Sequence, residues 1–365
     1  MRIPMVNLRI LLEQTRNAWQ HNLDQLHQRS QYILGPQVAS FEMEFAQVLG
    51  AKHAIGVSNG TTAIELCLRD AAVTNQVVTS ALTAPFTGVA IQAAGATPVF
   101  ADVDTETLLI DFDDAANRIG KKTGAVVPVH LYGQPCNLSK WRSASRSTGA
   151  VIVQDACQAH GASFAGKPFT DFSSYVAYSF YPTKNLGCLG DGGAVVTSNR
   201  KVASRLNCLR DGGRKQGEQV SRVRGINARL DEMQACYLRA FLPHLHEWNT
   251  QRTQLAALYD QAFDGCPAVQ PLRRSEGSVN HLYVIRVPKR DALRQHLAAS
   301  GIGSTVHYPV PLHLHPAFAA SKQKRGDLPN AEKAAKQILS LPLWPGMSNS
   351  QVSEVAEKVR LFFGY

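Results

Sequence analysis

Short apolar runs alternate with helix-like segments through the first half of the chain, and this alternation constrains the fold more than any other feature. The apolar runs lie at 53–57, 76–80, 97–101, 125–130, 151–154, 175–180 and 194–197. Segments with a helical pattern at 61–71, 87–94 and 139–147 separate several of them. Strands that alternate with helices favour a mostly parallel sheet covered on both faces. The sequence therefore predicts an α/β fold.

The last third of the chain predicts a second, smaller α/β domain. The pattern around 230–259 is mainly helical, and it is followed by a strand-like run at 282–287 and a helix-like segment at 290–299. A chain of 365 residues is long enough for two domains. We predict a large domain over 1–245 and a small C-terminal domain over 246–365.

Composition excludes several classes of protein. Hydrophobic residues make up 44% and charged residues 18%, a globular balance without long disorder. The sequence contains no apolar run long enough to span a bilayer and no recognisable secretory signal, so we expect no membrane partner. The seven cysteines are odd in number and contain no Cys-x-x-Cys pair, which predicts a reduced, cytoplasmic protein without a metal site.

The net charge of +10 permits more than one interpretation. A basic face can bind nucleic acid, a basic cleft can attract a polyphosphorylated small molecule, and basic residues often form only a solvated surface. Lysine and arginine are dispersed, with short clusters at 210–215 and 322–325. We therefore expect no nucleic-acid partner.

Lys184 and Asp155 have the placement that pyridoxal 5′-phosphate (PLP) chemistry requires. Lys184 lies in a compact turn after one strand, and Asp155 ends an earlier one. The lysine amine would form a Schiff base with the cofactor aldehyde, and the carboxylate would keep the pyridine nitrogen protonated. A phosphate-binding lysine is the alternative for a glycine-rich loop, but the Walker spacing is absent.

Two segments are candidates for holding a phosphate. Gly60 and Thr61 follow a strand and open a helix, where backbone N–H groups and the helix dipole favour an anion. An ordinary turn and N-cap explain the same residues. Ser179 is the second candidate, and a strand-end hydroxyl without a ligand is its alternative.

Three residues downstream of Asp155 belong to the same candidate site. Gln158 would hydrogen-bond the phenolic oxygen of the cofactor. Cys157 fits either a position near the ring or a buried small residue, and His160 either a proton carrier or a structural histidine.

In this order the motifs resemble the DegT/StrS family of PLP-dependent sugar aminotransferases, which have fold type I, like aspartate aminotransferase. Further matching runs lie at 33–42, 95–100, 128–135, 225–232 and 307–313, so the resemblance covers nearly the whole chain. It implies a large PLP-binding domain with a mostly parallel mixed sheet and a smaller C-terminal α/β domain. It also implies a homodimer with shared active sites.

The resemblance implies a role for each candidate residue. Lys184 would be the Schiff-base lysine, Asp155 the partner of the pyridine nitrogen and Gln158 the partner of the phenolic oxygen. The phosphate would be bound by Gly60, Thr61 and Ser179, and by Asn227 from the neighbouring subunit. The usual stacking aromatic of the family falls on Ala84 here, so we predict that Phe86 takes its place.

The implied reaction moves an amino group from L-glutamate to a nucleotide-linked keto sugar by ping-pong kinetics. The run 307–311 resembles members that act on 3-keto-6-deoxyhexoses, although a structural turn between prolines explains it equally well. A 4-keto-sugar aminotransferase, a dehydratase and a catalytically silent regulatory protein are the alternatives. Family dehydratases carry histidine in place of the lysine, so the intact Lys184 counts against that class.

Overall fold

A computed structural model describes residues 2–215 and 217–365. The strands, in chain order, are β1 (His53–Val57), β2 (Gln76–Ser80), β3 (Thr97–Ala101), β4 (Thr123–Val127), β5 (Val151–Ile152), β6 (Gln154–Asp155), β7 (Val176–Ser179), β8 (Gly193–Thr197), β9 (Gln270–Pro271), β10 (Tyr283–Arg286) and β11 (Ile338–Leu341). The α-helices are α1 (Arg9–Gln14), α2 (Arg16–Arg29), α3 (Pro36–Val48), α4 (Gly60–Asp70), α5 (Pro85–Ala93), α6 (Phe112–Arg118), α7 (Leu138–Thr148), α8 (Arg200–Arg210), α9 (Glu232–Phe241), α10 (Leu245–Phe263), α11 (Arg290–Ala299), α12 (Pro329–Gln337) and α13 (Asn349–Phe363). Short 3₁₀ helices lie at Leu131–Gly133, Phe169–Asp171, Leu242–His244, Leu312–Leu314 and Pro316–Ser321.

The first eight strands form one mixed sheet. The strands β3, β2, β4 and β5 pair in parallel, as do β6 and β7, whereas β8 pairs antiparallel with both β7 and β1. The two halves join where Asp155 N donates a 3.0 Å hydrogen bond to Pro128 O and His130 N donates one of 3.0 Å to Asp155 O. The strand order is β3-β2-β4-β5/β6-β7-β8-β1, and β8 runs against the others. The predicted α/β fold with a mostly parallel mixed sheet is confirmed.

Helices cover both faces of this sheet because side chains alternate along each strand. In β7, Tyr178 packs into a core with the aromatic rings of α3, while its neighbour Ala177 packs into the opposite core with α4 and α8. In β8, Val196 and Val195 divide in the same way. The sheet is therefore buried on both sides, which explains the continuous apolar runs in the sequence.

The C-terminal part has its own three-stranded antiparallel sheet, in the order β11-β10-β9. The helix α10 belongs to both parts, because Trp248 packs with the core of the large sheet and Tyr259 packs with the C-terminal core. The start of the chain also joins the C-terminal core, where Ile3 forms a bridge with Ile302. The division into domains at residue 245 remains a prediction. It assigned the first residues of the chain to the large domain, whereas Ile3 packs with the C-terminal core.

Two features bear on the expected environment of the protein. Within 2–215 and 217–365, no helix combines the length and hydropathy needed to cross a membrane. All seven cysteines are free thiols.

Candidate active site

Four of the predicted cofactor residues lie at one edge of the sheet. Strand β6 ends at Asp155, β7 ends at Ser179, and β1 leads through a short turn to Gly60 at the start of α4. These three strands run in the same direction, so their carboxyl ends lie along one edge, the usual place for a ligand in an open α/β sheet. The turn that carries Lys184 follows β7 at this edge.

The start of α4 forms a cradle that requires glycine. A Cβ atom added to Gly60 would lie 2.6 Å from Ser179 Cβ and 2.8 Å from Cys157 Sγ. Asn59 caps the helix by accepting a 2.8 Å hydrogen bond from Thr62 N. The first N–H groups of a helix have no intrahelical partner, so those of Gly60 and Thr61 remain available for a phosphate. Close contact between Gly60 and Ser179 brings the two predicted phosphate-binding segments together, and the residues fit the phosphate of PLP.

The lysine turn holds its amine in a desolvated place. Lys184 N donates a 2.9 Å hydrogen bond to Tyr181 O, and the residue after the lysine, Asn185, is fully enclosed. Burial lowers the pKa of the half-buried Lys184 amine below its ordinary value, while Cys157 and Asp155 oppose that shift. A lowered pKa favours the neutral amine, which is the form that can accept a proton.

Asp155 is 4% exposed and is held by two hydrogen bonds. Its Oδ2 accepts a 2.8 Å bond from Thr87 Oγ1, and its Oδ1 accepts a 3.1 Å bond from Cys157 N. Thr87 lies in the first turn of α5, a segment far from Asp155 in sequence. Sequence reasoning missed this residue, because a threonine near a helix start carries no signal for a contact with another strand end.

Gln158 connects the site to the C-terminal part of the chain. Its Oε1 accepts a 2.6 Å hydrogen bond from Tyr132 N, and its Nε2 donates a 3.0 Å bond to the hydroxyl of Tyr308. Tyr132 donates its own hydroxyl hydrogen to His307 O. Two residues of the run 307–313 therefore contact residues next to or within the predicted cofactor site.

Both residues at the start of that run have altered acidity. Burial, followed by the nearby charge of Asp155, raises the pKa of the Tyr308 phenol above its ordinary value. Burial and the positive charge of Lys184 lower the pKa of His307 to about 4. His307 Nδ1 lies 2.9 Å from Ser340 Oγ. At neutral pH the Tyr308 phenol and the His307 imidazole are therefore both uncharged.

His160 and Cys157 both pack against the cradle. His160 is fully buried, and its Nε2 donates a 2.8 Å hydrogen bond to Ser179 O. Burial and the charge of Lys184 lower the pKa of His160 to about 3, so the ring is neutral and supports the end of β7. Burial raises the pKa of the Cys157 thiol well above its ordinary value. These observations favour a structural histidine and a protonated cysteine packed against Gly60.

Two predicted cofactor residues lie on the outside of the single chain. Phe86 is in the first turn of α5 and is 62% exposed. Asn227 is exposed and forms an isolated antiparallel bridge with Asp211. Stacking by Phe86 and a contact of Asn227 with the partner's cofactor remain predictions. Within 2–215 and 217–365 no group of three or more histidine, cysteine or acidic side chains is placed to hold a metal ion.

Comparison with known proteins identifies the chain. The DegT/DnrJ/EryC1/StrS aminotransferase family matches residues 13–360. The chain belongs to this family. The predicted family resemblance is confirmed, and the protein is a PLP-dependent sugar aminotransferase.

Three relatives show how far the similarity extends. The "dTDP-3-amino-3,4,6-trideoxy-alpha-D-glucose transaminase" of Streptomyces venezuelae is 40% identical over 98% of this chain and 96% of its own length. A "Pleiotropic regulatory protein" of Geobacillus stearothermophilus is also 40% identical, over 100% of this chain and 99% of its own. The crystal structure of S. venezuelae DesV in complex with a ketimine intermediate is 39% identical and superposes with a TM-score of 0.96, over 100% of this chain and 99% of that one.

Proposed function

We propose that this aminotransferase moves the amino group of L-glutamate to C3 of a 3-keto-6-deoxyhexose attached to a nucleoside diphosphate. The observation that carries the proposal is the hydrogen bond between Gln158 Nε2 and the hydroxyl of Tyr308. It places the motif that resembles 3-keto-sugar members beside the residues predicted to hold the cofactor. The S. venezuelae relative, named for a 3-amino sugar, supports the same position.

The chain's own residues divide the work of holding the cofactor and moving a proton. When bound, PLP supplies an electron-accepting ring that weakens the bond to the proton on the substrate carbon. The start of α4 would hold the phosphate through the N–H groups of Gly60 and Thr61, with the Ser179 hydroxyl as a further donor. Asp155, oriented by Thr87 and Cys157 N, would pair with the ring nitrogen and keep it protonated.

Lys184 and Gln158 complete the site. Gln158 has a second N–H on Nε2, besides the one given to Tyr308, and this hydrogen is free to bind the phenolic oxygen. The Lys184 amine would accept the proton of the substrate carbon at Nζ and would give it up again later in the same half-reaction. Burial favours this proton transfer, because it lowers the pKa of the amine and so raises the share of the neutral form.

The proposal includes a homodimer with composite active sites. Asn227 is exposed on the single chain, at the end of a segment that also exposes Val220 and Val223. In the dimer, Asn227 binds the phosphate of the partner's cofactor, whereas Lys184 serves the cofactor of its own chain.

Two alternative functions remain to be distinguished from this one. A 4-keto sugar is the alternative acceptor, since Tyr308 alone does not define the position of the keto group. The second alternative is a regulatory protein without catalysis, in line with the name of the G. stearothermophilus relative, "Pleiotropic regulatory protein". The intact set of Lys184, Asp155 and Gln158 counts against the second alternative.

One experiment separates the three possibilities. Purified holoenzyme is mixed with L-glutamate, the released 2-oxoglutarate is measured, and matched nucleotide-linked 3-keto and 4-keto hexoses are then supplied. We expect one 2-oxoglutarate per site before the acceptor is added and continued turnover with the 3-keto sugar. Lys184→Ala serves as the inactive control. Release of 2-oxoglutarate without turnover on the 3-keto sugar would refute the proposed acceptor. Absence of 2-oxoglutarate release would favour the regulatory function.

A further inference from the structure

Asn185, the residue after the lysine, makes three buried hydrogen bonds to other parts of the chain. Its side chain is 3% exposed, and Nδ2 donates to Asn249 Oδ1 at 2.8 Å and to Val279 O at 3.0 Å. Its Oδ1 lies 2.9 Å from His281 Nδ1. Both hydrogens of Nδ2 are directed to oxygen acceptors, so Oδ1 accepts and the proton of the neutral His281 ring is on Nδ1.

The contacts of Asn185 continue to the end of β7. Asn249, in α10, donates a 2.9 Å hydrogen bond from Nδ2 to His160 O. His160 Nε2 in turn donates to Ser179 O at 2.8 Å. The four side chains that form this connected set are Asn185, Asn249, His281 and His160, and we call them the Asn185 cluster. It links the lysine turn to the strand end that carries the Ser179 hydroxyl.

The same cluster reaches Gln158 through the backbone. His281 N donates a 2.9 Å hydrogen bond to Tyr132 O, and Tyr132 N donates one of 2.6 Å to Gln158 Oε1. Gly133 allows this close approach, because its φ is +91° and an added Cβ would lie 2.9 Å from His281 N. The segment around His281 is therefore bonded both to the lysine turn and to the loop that orients Gln158.

We infer that the Asn185 cluster is a positioning device that aligns the Lys184 amine with Gln158 and Ser179, and that Asn185 is the residue on which this alignment depends. The inference rests on the function proposed above, because it assumes that Lys184 is the reactive lysine. In this role Asn185 acts through its neighbour Lys184, because its side chain hydrogen-bonds to Asn249, Val279 and His281. Buried hydrogen bonds of this kind favour one arrangement of the groups that they join, and within the described residues His160 Nδ1 is the one buried polar atom of the cluster without a partner.

The charge state of the cluster keeps this arrangement constant. Burial, and then the charges of Lys184 and Arg252, lower the pKa of His281 well below its ordinary value. Burial lowers the pKa of His160 to about 3. Both rings are thus neutral through the working range, and their donors and acceptors do not exchange roles. Substitutions in the cluster should therefore change the environment of Lys184, and the resulting shift should not come from protonation of His160 or His281.

The first test replaces Asn185 by alanine in the holoenzyme. We expect the pH midpoint of the bound cofactor's visible absorbance to move by at least half a pH unit. We expect the single-turnover rate with glutamate to fall at least tenfold, with the glutamate KM within twofold of wild type. Asn199→Ala is the matched control, since Asn199 caps α8 away from the site by accepting a 3.0 Å bond from Lys201 N. A wild-type midpoint and rate in Asn185→Ala, or an equal shift in the control, would overturn the inference.

The second test changes His281, whose Nδ1 lies 2.9 Å from Asn185 Oδ1. It decides whether the cluster positions Lys184 even if Asn185→Ala does not fold. His281→Asn keeps an N–H donor near the position of Nδ1, whereas His281→Leu removes it. We expect the asparagine variant to keep the wild-type midpoint and rate within threefold, and the leucine variant to show the shift. Equal behaviour of the two variants would contradict a positioning role.

Failure of this inference is separable from failure of the proposed site. Borohydride reduction of wild-type holoenzyme followed by peptide mapping shows which lysine carries the phosphopyridoxyl group. A group on Lys184 combined with unshifted cluster variants rejects only the positioning role. A group on another lysine rejects the site, and with it the premise of the inference.

Discussion

Thr87 Oγ1 donates a 2.8 Å hydrogen bond to Asp155 Oδ2, joining the first turn of α5 to the end of β6. The contact is buried, since Thr87 is 2% exposed and Asp155 is 4% exposed. Together with the bond from Cys157 N, it leaves the carboxylate one orientation. The group proposed to face the ring nitrogen is therefore held in place before any cofactor arrives, and Thr87 is open to a direct test.

Thr87→Val should slow the glutamate half-reaction by about 10- to 100-fold. Valine has nearly the same shape but leaves Asp155 Oδ2 without its donor, and a hydrogen bond to a charged group is worth about 1.5–3 kcal/mol. Thr87→Ser retains the hydroxyl and should stay within about threefold of wild type. Stopped-flow absorbance of the holoenzyme mixed with glutamate gives the rate. A wild-type rate in the valine variant would show that the contact does not orient Asp155.

Gly60→Ala should weaken PLP binding by at least about tenfold, or about 1.4 kcal/mol. The new Cβ would lie 2.6 Å from Ser179 Cβ and 2.8 Å from Cys157 Sγ, so the start of α4 must move away from Ser179. Gly120→Ala is the control, because nothing lies within 4 Å of an added Cβ there. Equilibrium titration of the apoenzyme with PLP measures both variants. Equal PLP affinity of the Gly60→Ala and Gly120→Ala variants would show that the start of α4 does not bind the phosphate.

The shared active site is tested by complementation between two inactive variants. Lys184→Ala lacks the reactive amine, and Asn227→Trp obstructs the phosphate site proposed on the partner subunit. In a mixed dimer one site carries both lesions and the other carries neither, so activity should return to about half the wild-type value per dimer.

The control for this experiment shows that the Asn227→Trp variant folds and dimerises like the wild-type protein. Its circular dichroism and its mass by light scattering should match those of the wild-type protein. Mixed dimers isolated through two different tags and found inactive would show that Asn227 does not act across the interface.

Stability should fall as the pH drops below 6.5, before the carboxylates titrate. Burial lowers the pKa of His130 to about 4, of His160 to about 3 and, together with Lys184, of His307 to about 4, from an ordinary value of 6.5. Below 6.5 the unfolded chain therefore binds protons that the folded chain does not. Each of the three should cost about 2 kcal/mol of unfolding free energy at pH 5 relative to pH 7.5.

Urea unfolding of the apoenzyme at pH 7.5 and pH 5 measures this effect. Carboxyl groups with a lowered pKa, such as Asp114, lose their contribution only as the pH approaches their ordinary value of 3.8, so they add little at pH 5. His160→Phe keeps the packing against Tyr178 and removes one titrating ring, and it should reduce the loss of stability. A flat profile, or an unchanged loss in the variant, would contradict the assignment of neutral buried rings.

The sequence predicted the central strands well because their signal is local. The apolar runs at 53–57, 76–80 and 97–101 coincide with β1, β2 and β3. The predicted run 125–130 continues past the end of β4 at Val127, because the backbone there turns toward the site and bonds to Asp155 instead. The single helical region predicted over 230–259 is broken at Pro243, which lacks the N–H needed to continue α9.

The residues that orient the site were not predictable in the same way. Thr87, Asn185 and His281 act through contacts that join distant parts of the chain, and no periodicity or spacing marks such pairs. Tyr308 was noticed only through the family resemblance of its run, and its contact with Gln158 depends on how the C-terminal unit packs against the sheet. Sequence patterns thus indicated the chemistry of Lys184 and Asp155, while the alignment of these groups required the folded chain.

The most direct measurement of the central claim follows the transferred nitrogen. Holoenzyme is incubated with ¹⁵N-labelled L-glutamate, the excess is removed, and a nucleotide-linked 3-keto-6-deoxyhexose is added. We expect one ¹⁵N atom per active site to appear on C3 of the sugar by NMR, and none with Lys184→Ala. Nitrogen that remains with the protein, or that enters a 4-keto sugar in preference to the 3-keto sugar, would contradict the account.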